Sequence, residues 1–153
     1  MNQKLVNFFK QEGLENCIQE FEQPSATSEQ AANEIGCTIE QIAKSITFKI
    51  EERTILIVAA GNAKIDNPKY KEKFCKKAIM LSREEVEERT SYPVGGVCPF
   101  LLPANVEVYF DKSIQHFEKM YFACGTPNSI IGLTIEEAEK LAKPKEWIDV
   151  CKE

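Results

Sequence analysis

One histidine, His116, and no C-x-x-C pair occur in the 153 residues, although six cysteines are present. Structural zinc sites draw on closely spaced cysteines and histidines, whereas Cys17, Cys37, Cys75, Cys98, Cys124 and Cys151 stand at least 20 residues apart. That spacing speaks against a zinc site, and a chain with an ordinary core has little need of disulfides, so free thiols are expected. A thiol nucleophile would have to pair Cys98 with His116, an adjacency the sequence does not display. No apolar run approaches the roughly 20 residues of a membrane-spanning helix, and the longest, Ile55 to Gly61, is strand-sized. The start, Met1-Asn2-Gln3-Lys4-Leu5, lacks a signal peptide's basic and apolar segments. Without repeats or low-complexity linkers, the expectation is one cytoplasmic domain over residues 1–153, with no membrane partner.

The chain is 43% hydrophobic, enough for one continuous core at this length. Helical patterning covers Asn2 to Glu12, with Leu5, Phe8 and Phe9 on one face and Gly13 as C-terminal cap. Capping-box spacing starts helices at Thr27, Thr38, Ser82 and Thr134, and Pro68 sits in the first turn of another. In that helix Tyr70, Phe74 and Ala78 recur at i, i+4, i+8 and should face the core. Ser45 to Ile50 and Thr54 to Ala60, joined by Glu51-Glu52-Arg53, read as an antiparallel hairpin. Ala78 to Leu81, Val106 to Phe110, Tyr121 to Cys124 and Ser129 to Leu133 read as further strands, and Trp147 to Val150 as a last apolar patch. The irregular alternation predicts an α/β (α+β type) domain with a mixed, mostly antiparallel sheet and flanking helices.

Three features could carry chemistry. The loop Val94-Gly95-Gly96-Val97-Cys98-Pro99-Phe100 pairs consecutive glycines with stiffening prolines. Such backbone approaches a ligand closely and can offer N–H groups to a carbonyl oxygen or phosphate, or it is simply a tight turn. Its glycine spacing matches neither a Walker motif nor a dinucleotide fingerprint. Lys44, entering an apolar strand, either snorkels to solvent or points into a pocket where it neutralises developing charge. The turn Cys124-Gly125-Thr126-Pro127-Asn128 could line a pocket mouth or be ordinary turn chemistry. Residues 64–77 hold six lysines against Asp66 and Glu72 on a chain of net charge −5. That basic segment could contact an RNA end, while the overall acidity disfavours non-specific nucleic-acid binding.

Taken in order along the chain, six segments resemble the YbaK/EbsC family of free-standing aminoacyl-tRNA deacylases, related to the editing domain of bacterial prolyl-tRNA synthetases. They are Thr27–Ala32, Gln41–Ser45, Val58–Asp66, Gly95–Phe100, Tyr109–Asp111 and Ala123–Pro127. The resemblance implies a barrel-like sheet and hydrolysis of the ester joining a mischarged small amino acid to tRNA, tRNA(Pro) first. It implies Lys44 as the catalytic residue, assisted by the substrate's own groups, with no metal and no cofactor. It assigns Gly95, Gly96, Val97, Pro99, Asn62, Gly125 and Thr126 to substrate binding, and Asn128, which ends the same turn, is taken as a substrate-binding candidate with them. The tRNA-contact candidates Lys64, Lys69, Lys73, Lys76 and Lys77 come instead from the local positive charge of residues 64–77. The implied partners are aminoacyl-tRNA and an aminoacyl-tRNA synthetase such as prolyl-tRNA synthetase, with no DNA. Cys98, Leu101, Leu102 and Asn128 depart from the relatives' usual residues and leave the amino acid open. The competing reading is a non-catalytic module that keeps the pocket and binds aminoacyl-tRNA, a nucleotide or a synthetase.

Overall fold

Local caps begin most helices of this chain. In the computed structural model, which describes residues 2–22 and 27–152, Asn2 accepts from the Leu5 amide at the start of α1 (Gln3–Gln11). Thr27 does the same from Gln30 for α2 (Ser28–Ile35), and Gly36 ends that helix in the left-handed region. Helix α3 (Asn67–Phe74) has Pro68 in its first turn. Reciprocal capping boxes, Ser82 with Glu85 and Thr134 with Glu137, open α4 (Arg83–Thr90) and α5 (Ile135–Ala142). The expected helix at Thr38 is one 3-10 turn, Ile39–Gln41.

The strands are β1 (Ile18–Glu20), β2 (Ala43–Ile50), β3 (Arg53–Ala60), β4 (Val106–Asp111), β5 (Lys119–Ala123), β6 (Ser129–Thr134) and β7 (Glu146–Ile148). They form two sheets, β1-β6-β5 and β2-β3-β4-β7. The first is antiparallel throughout. The second is mixed: β2 and β3 form the expected antiparallel hairpin, while β4 and β7 run parallel to their neighbours. A parallel bridge between Ile42 and Tyr121 brings the sheets edge to edge, so the barrel-like arrangement stays open rather than closed.

Two details depart from the sequence patterning. Arg53 begins β3, which leaves a two-residue turn, Glu51-Glu52. Helix α3 stops at Phe74 because Cys75 takes a left-handed conformation (φ 61°), so Ala78 is off the helix and the segment 78–81 runs along β2. There it makes a single bridge, Phe48 to Met80, instead of a strand. Ala78 nonetheless packs against the core, and Tyr70 and Phe74 are buried as expected.

Strand alternation splits the interior. Ala43, Leu56, Val58 and Ala60 face a large cluster with Phe9, Phe100, Phe110 and Phe122. Phe48, Ile55 and Ile57 face a smaller one, where Phe48, Tyr70, Phe74 and Tyr109 stack in succession at 4.7–5.2 Å between ring centroids. At its rim the Arg53 guanidinium donates two bonds to Glu107 and holds that carboxyl at about 2, below its ordinary 4.5. A depressed carboxyl contributes stability above its unfolded pKa and loses it as pH falls through the folded one. Thermal melts of Glu107→Gln and the parent chain should therefore converge between pH 4.5 and about 2; an undiminished gap at the acid end would contradict this.

Candidate functional site

A cleft of about 260 Å³ opens at the seam between the two sheets. Its walls come from the first turn of α2 (Thr27, Ser28, Ala31), the start of β2 (Ala43, Lys44, Ser45, Thr47), the loop residues Val94, Gly95 and Val97, and the β5–β6 corner (Tyr121, Ala123, Pro127, Ser129). Small apolar and hydroxyl-bearing side chains dominate this lining, which suits a small ligand with few polar groups.

Lys44 sits where β2 enters the sheet. Register places it on the face of Ile46 and Phe48, opposite Ala43 and Ser45. Its half-buried ammonium donates to the Ala63 carbonyl. Burial holds the ammonium below the usual lysine range and nearby Lys64 acts in the same sense, while Cys151 opposes them. The residue thus lines the cleft while its charge is held at Ala63, which lines a second cavity of about 460 Å³ with Asn62, Lys64, His116 and Lys152.

The glycine loop owes its sequence to close packing as much as to exposure. Gly95 and Val97 line the cleft, but Gly96 is buried behind them. A β-carbon on Gly96 would lie 2.6 Å from the Gly125 carbonyl carbon and 2.7 Å from the Thr126 nitrogen, so only glycine fits. The Gly96 N–H is already committed to Pro93 (2.9 Å), and its carbonyl accepts from Gly125 (3.0 Å). These bonds join the loop to the Cys124–Asn128 turn, whose Thr126 hydroxyl bonds Asn128 and Ser129. Asn128 also donates to Phe21, which fastens β1 to the same corner. Pro99 is buried and faces a different groove, beside Phe8 and Leu102.

Other candidates lie elsewhere. Asn62 donates to Glu40 in the second cavity. A β-carbon on Gly61 would lie 2.2 Å from the Ile39 carbonyl oxygen, so the segment carrying Asn62 to Lys64 packs directly on the 3-10 turn. Cys98 is fully buried, and burial pushes its thiol up to about 12, so it is no thiolate nucleophile. Of the basic segment, Lys69 pairs with Asp149 and Lys73 with Glu146, while Lys76 and Lys77 border a depression that shares no residue with the cleft. Lys64 alone of that group reaches the second cavity. Sequence patterning missed Ser45, Thr47, Tyr121 and Ser129, while Pro127 belongs to the turn already singled out; the alternation that puts Lys44 on one face puts Ser45 and Thr47 on the other, a signal that was present.

Comparison with known proteins follows the same lines. Residues 22–141 match the aminoacyl-tRNA editing domain family. The uncharacterized protein YwhH of Bacillus subtilis is 51% identical over 146 residues, covering 95% of this chain and 93% of its own. Proline–tRNA ligase of Bacillus cereus is 21% identical over 112 residues, 72% of this chain; the match spans only 20% of the ligase. Among solved structures, a candidate trans-editing enzyme for prolyl tRNA synthetase shares the fold, with TM-score 0.86 at 24% identity over 99% of this chain and 94% of its own.

Proposed function

Because the chain belongs to the aminoacyl-tRNA editing domain family, we propose that it is a deacylase that cleaves the ester between a small, wrongly attached amino acid and tRNA. One observation carries the reading: a half-buried lysine, its charge disfavoured by burial, lines a small cleft and is tied to the wall of a second, basic cavity. An aminoacyl ester is already activated, so orientation and stabilisation of one developing oxyanion account for most of the catalysis required.

In this reading the amino acid occupies the cleft against Ala31, Val97 and Ser45, and the ester carbonyl lies at the Lys44 end. Water adds to the carbonyl carbon and its oxygen gains negative charge, which the Lys44 ammonium stabilises. The bond to the ribose oxygen then breaks, that oxygen takes the proton lost by the water, and free amino acid and tRNA leave. Groups of the substrate itself position the water. Gly95, Gly96 and Val97, with Gly125, Thr126 and Asn128 behind them, hold the cleft's shape; Asn62 and Pro99 support its surroundings. The likeness to a proline–tRNA ligase makes tRNA(Pro) the first substrate to try and a prolyl-tRNA synthetase the partner to test.

The test is release of free amino acid from alanyl-tRNA(Pro) under multiple turnover. A rate above the buffer blank that scales with enzyme supports the proposal; a rate equal to the blank for every small amino acid refutes it.

A further inference from the structure

The C-terminal segment brings a second basic element to the Asn62–Asp66 segment. Ile65 and Cys151 form an antiparallel bridge, flanked by the bonds Lys152 N–H to Lys64 carbonyl and Asp66 N–H to Val150 carbonyl, both 2.8 Å. This register sets Lys64 directly opposite Lys152. Like charges facing each other across paired strands repel. The acids nearby are already engaged: Asp149 with Lys69 and Lys112, Asp111 with the Ser113 and Val150 amides, Glu40 with Asn62. Among the described residues, neither Lys64 nor Lys152 has a carboxylate partner.

Both lysines line the 460 Å³ cavity, whose wall also carries Glu40, bonded by the Asn62 amide, and His116 and Phe117, whose rings lie 4.4 Å apart between centroids. Paired cations beside exposed aromatic surface form the combination that holds single-stranded RNA, cations on the phosphates and a base on the ring. Ala63, whose carbonyl holds the Lys44 ammonium, lines this cavity as well, so Lys44 links it to the cleft.

We propose that this cavity seats the single-stranded RNA segment that carries the ester, with a backbone phosphate bridging Lys64 and Lys152 and an unstacked base resting on His116 and Phe117. The inference rests on the deacylase reading for its substrate and adds Lys152, His116 and Phe117 to the RNA contacts. It also moves the footprint off the paired Lys69 and Lys73 to the strand end.

The probe is a fluorescent RNA hairpin with an unpaired, uncharged 3′ end, titrated into the full chain at several salt concentrations. Lys64→Glu with Lys152→Glu should weaken binding about tenfold or more and make the slope of log affinity against log salt shallower by about 1. Lys4→Glu with Lys10→Glu, the same charge change on exposed sites of α1, should stay within about twofold of the parent. Lys152→Glu alone gives Lys64 an opposite charge, so its melting temperature should not fall while RNA affinity does. Loss of both together would mean a structural role and overturn the proposal. Parent-like affinity and salt slope in the double variant, with ester hydrolysis intact in the parent chain, would overturn this inference alone. A parent chain that neither binds the hairpin nor hydrolyses esters would overturn the deacylase reading with it.

Discussion

Replacing Lys44 by alanine should lower the deacylation rate by about 10²–10³-fold, the range seen when one oxyanion-stabilising donor is removed, while RNA affinity changes little. The effect should fall on turnover, because the ammonium is needed most where charge develops on the carbonyl oxygen. Burial lowers the Lys44 pKa below 10.5, so rates that require the charged form should decline on the alkaline side at a pH below that value. The sign for stability is opposite. The folded chain binds this proton less readily than the unfolded one, so the charge opposes folding at neutral pH, and that opposition fades as pH rises toward 10.5. Lys44→Met should therefore melt no lower than the parent chain at neutral pH while being as inactive as Lys44→Ala. An active Lys44→Met enzyme would remove the lysine from the mechanism.

Asp111 governs the scaffold under that lysine. Its carboxylate is fully buried at the end of β4 and accepts from the Ser113 and Val150 amides at 2.9 Å each. Ser113 in turn accepts from the Ala60 amide, at the end of the strand paired with Lys44's own. One side chain thus fixes the 3-10 turn after β4, the C-terminal segment and the floor of the second cavity. Asp111→Ala leaves two N–H groups without an acceptor, at about 1–3 kcal/mol for each buried group. Urea unfolding should show a loss of about 2–5 kcal/mol, with Asp111→Asn, which keeps one acceptor, in between. A loss under about 1 kcal/mol would mean water replaces the carboxylate and the segment is held by other contacts.

Local signals carried much of the architecture. The Ser82–Glu85 and Thr134–Glu137 boxes and the β2–β3 hairpin need only near neighbours, and they lie where the spacing puts them. Strand β1 has three residues, exposed on two, and exists because Ser129–Ile131 offers it an edge, so nothing within Ile18–Glu20 announces it. Segment 78–81 shows the converse, an apolar run that meets β2 at one bridge only. Of the site, Lys44 and the glycine pair are conspicuous by type. The reason for Gly96 is not, because it lies in the opposing backbone of Gly125. Lys152, His116 and Phe117 were invisible as a group, since they meet Lys64 only when the chain's end returns to bridge Ile65.

Hydrolysis itself is the most direct test. Purified protein would be mixed with tRNA carrying alanine, cysteine, serine, threonine or proline, and ester loss followed against a buffer blank and Lys44→Ala. Accelerated, lysine-dependent loss of one or two non-cognate pairs, with correctly charged prolyl-tRNA(Pro) spared, is the predicted result, and it would name the amino acid. No acceleration for any pair while tRNA still binds would contradict the deacylase and make the chain a binding module that kept the pocket without the reaction.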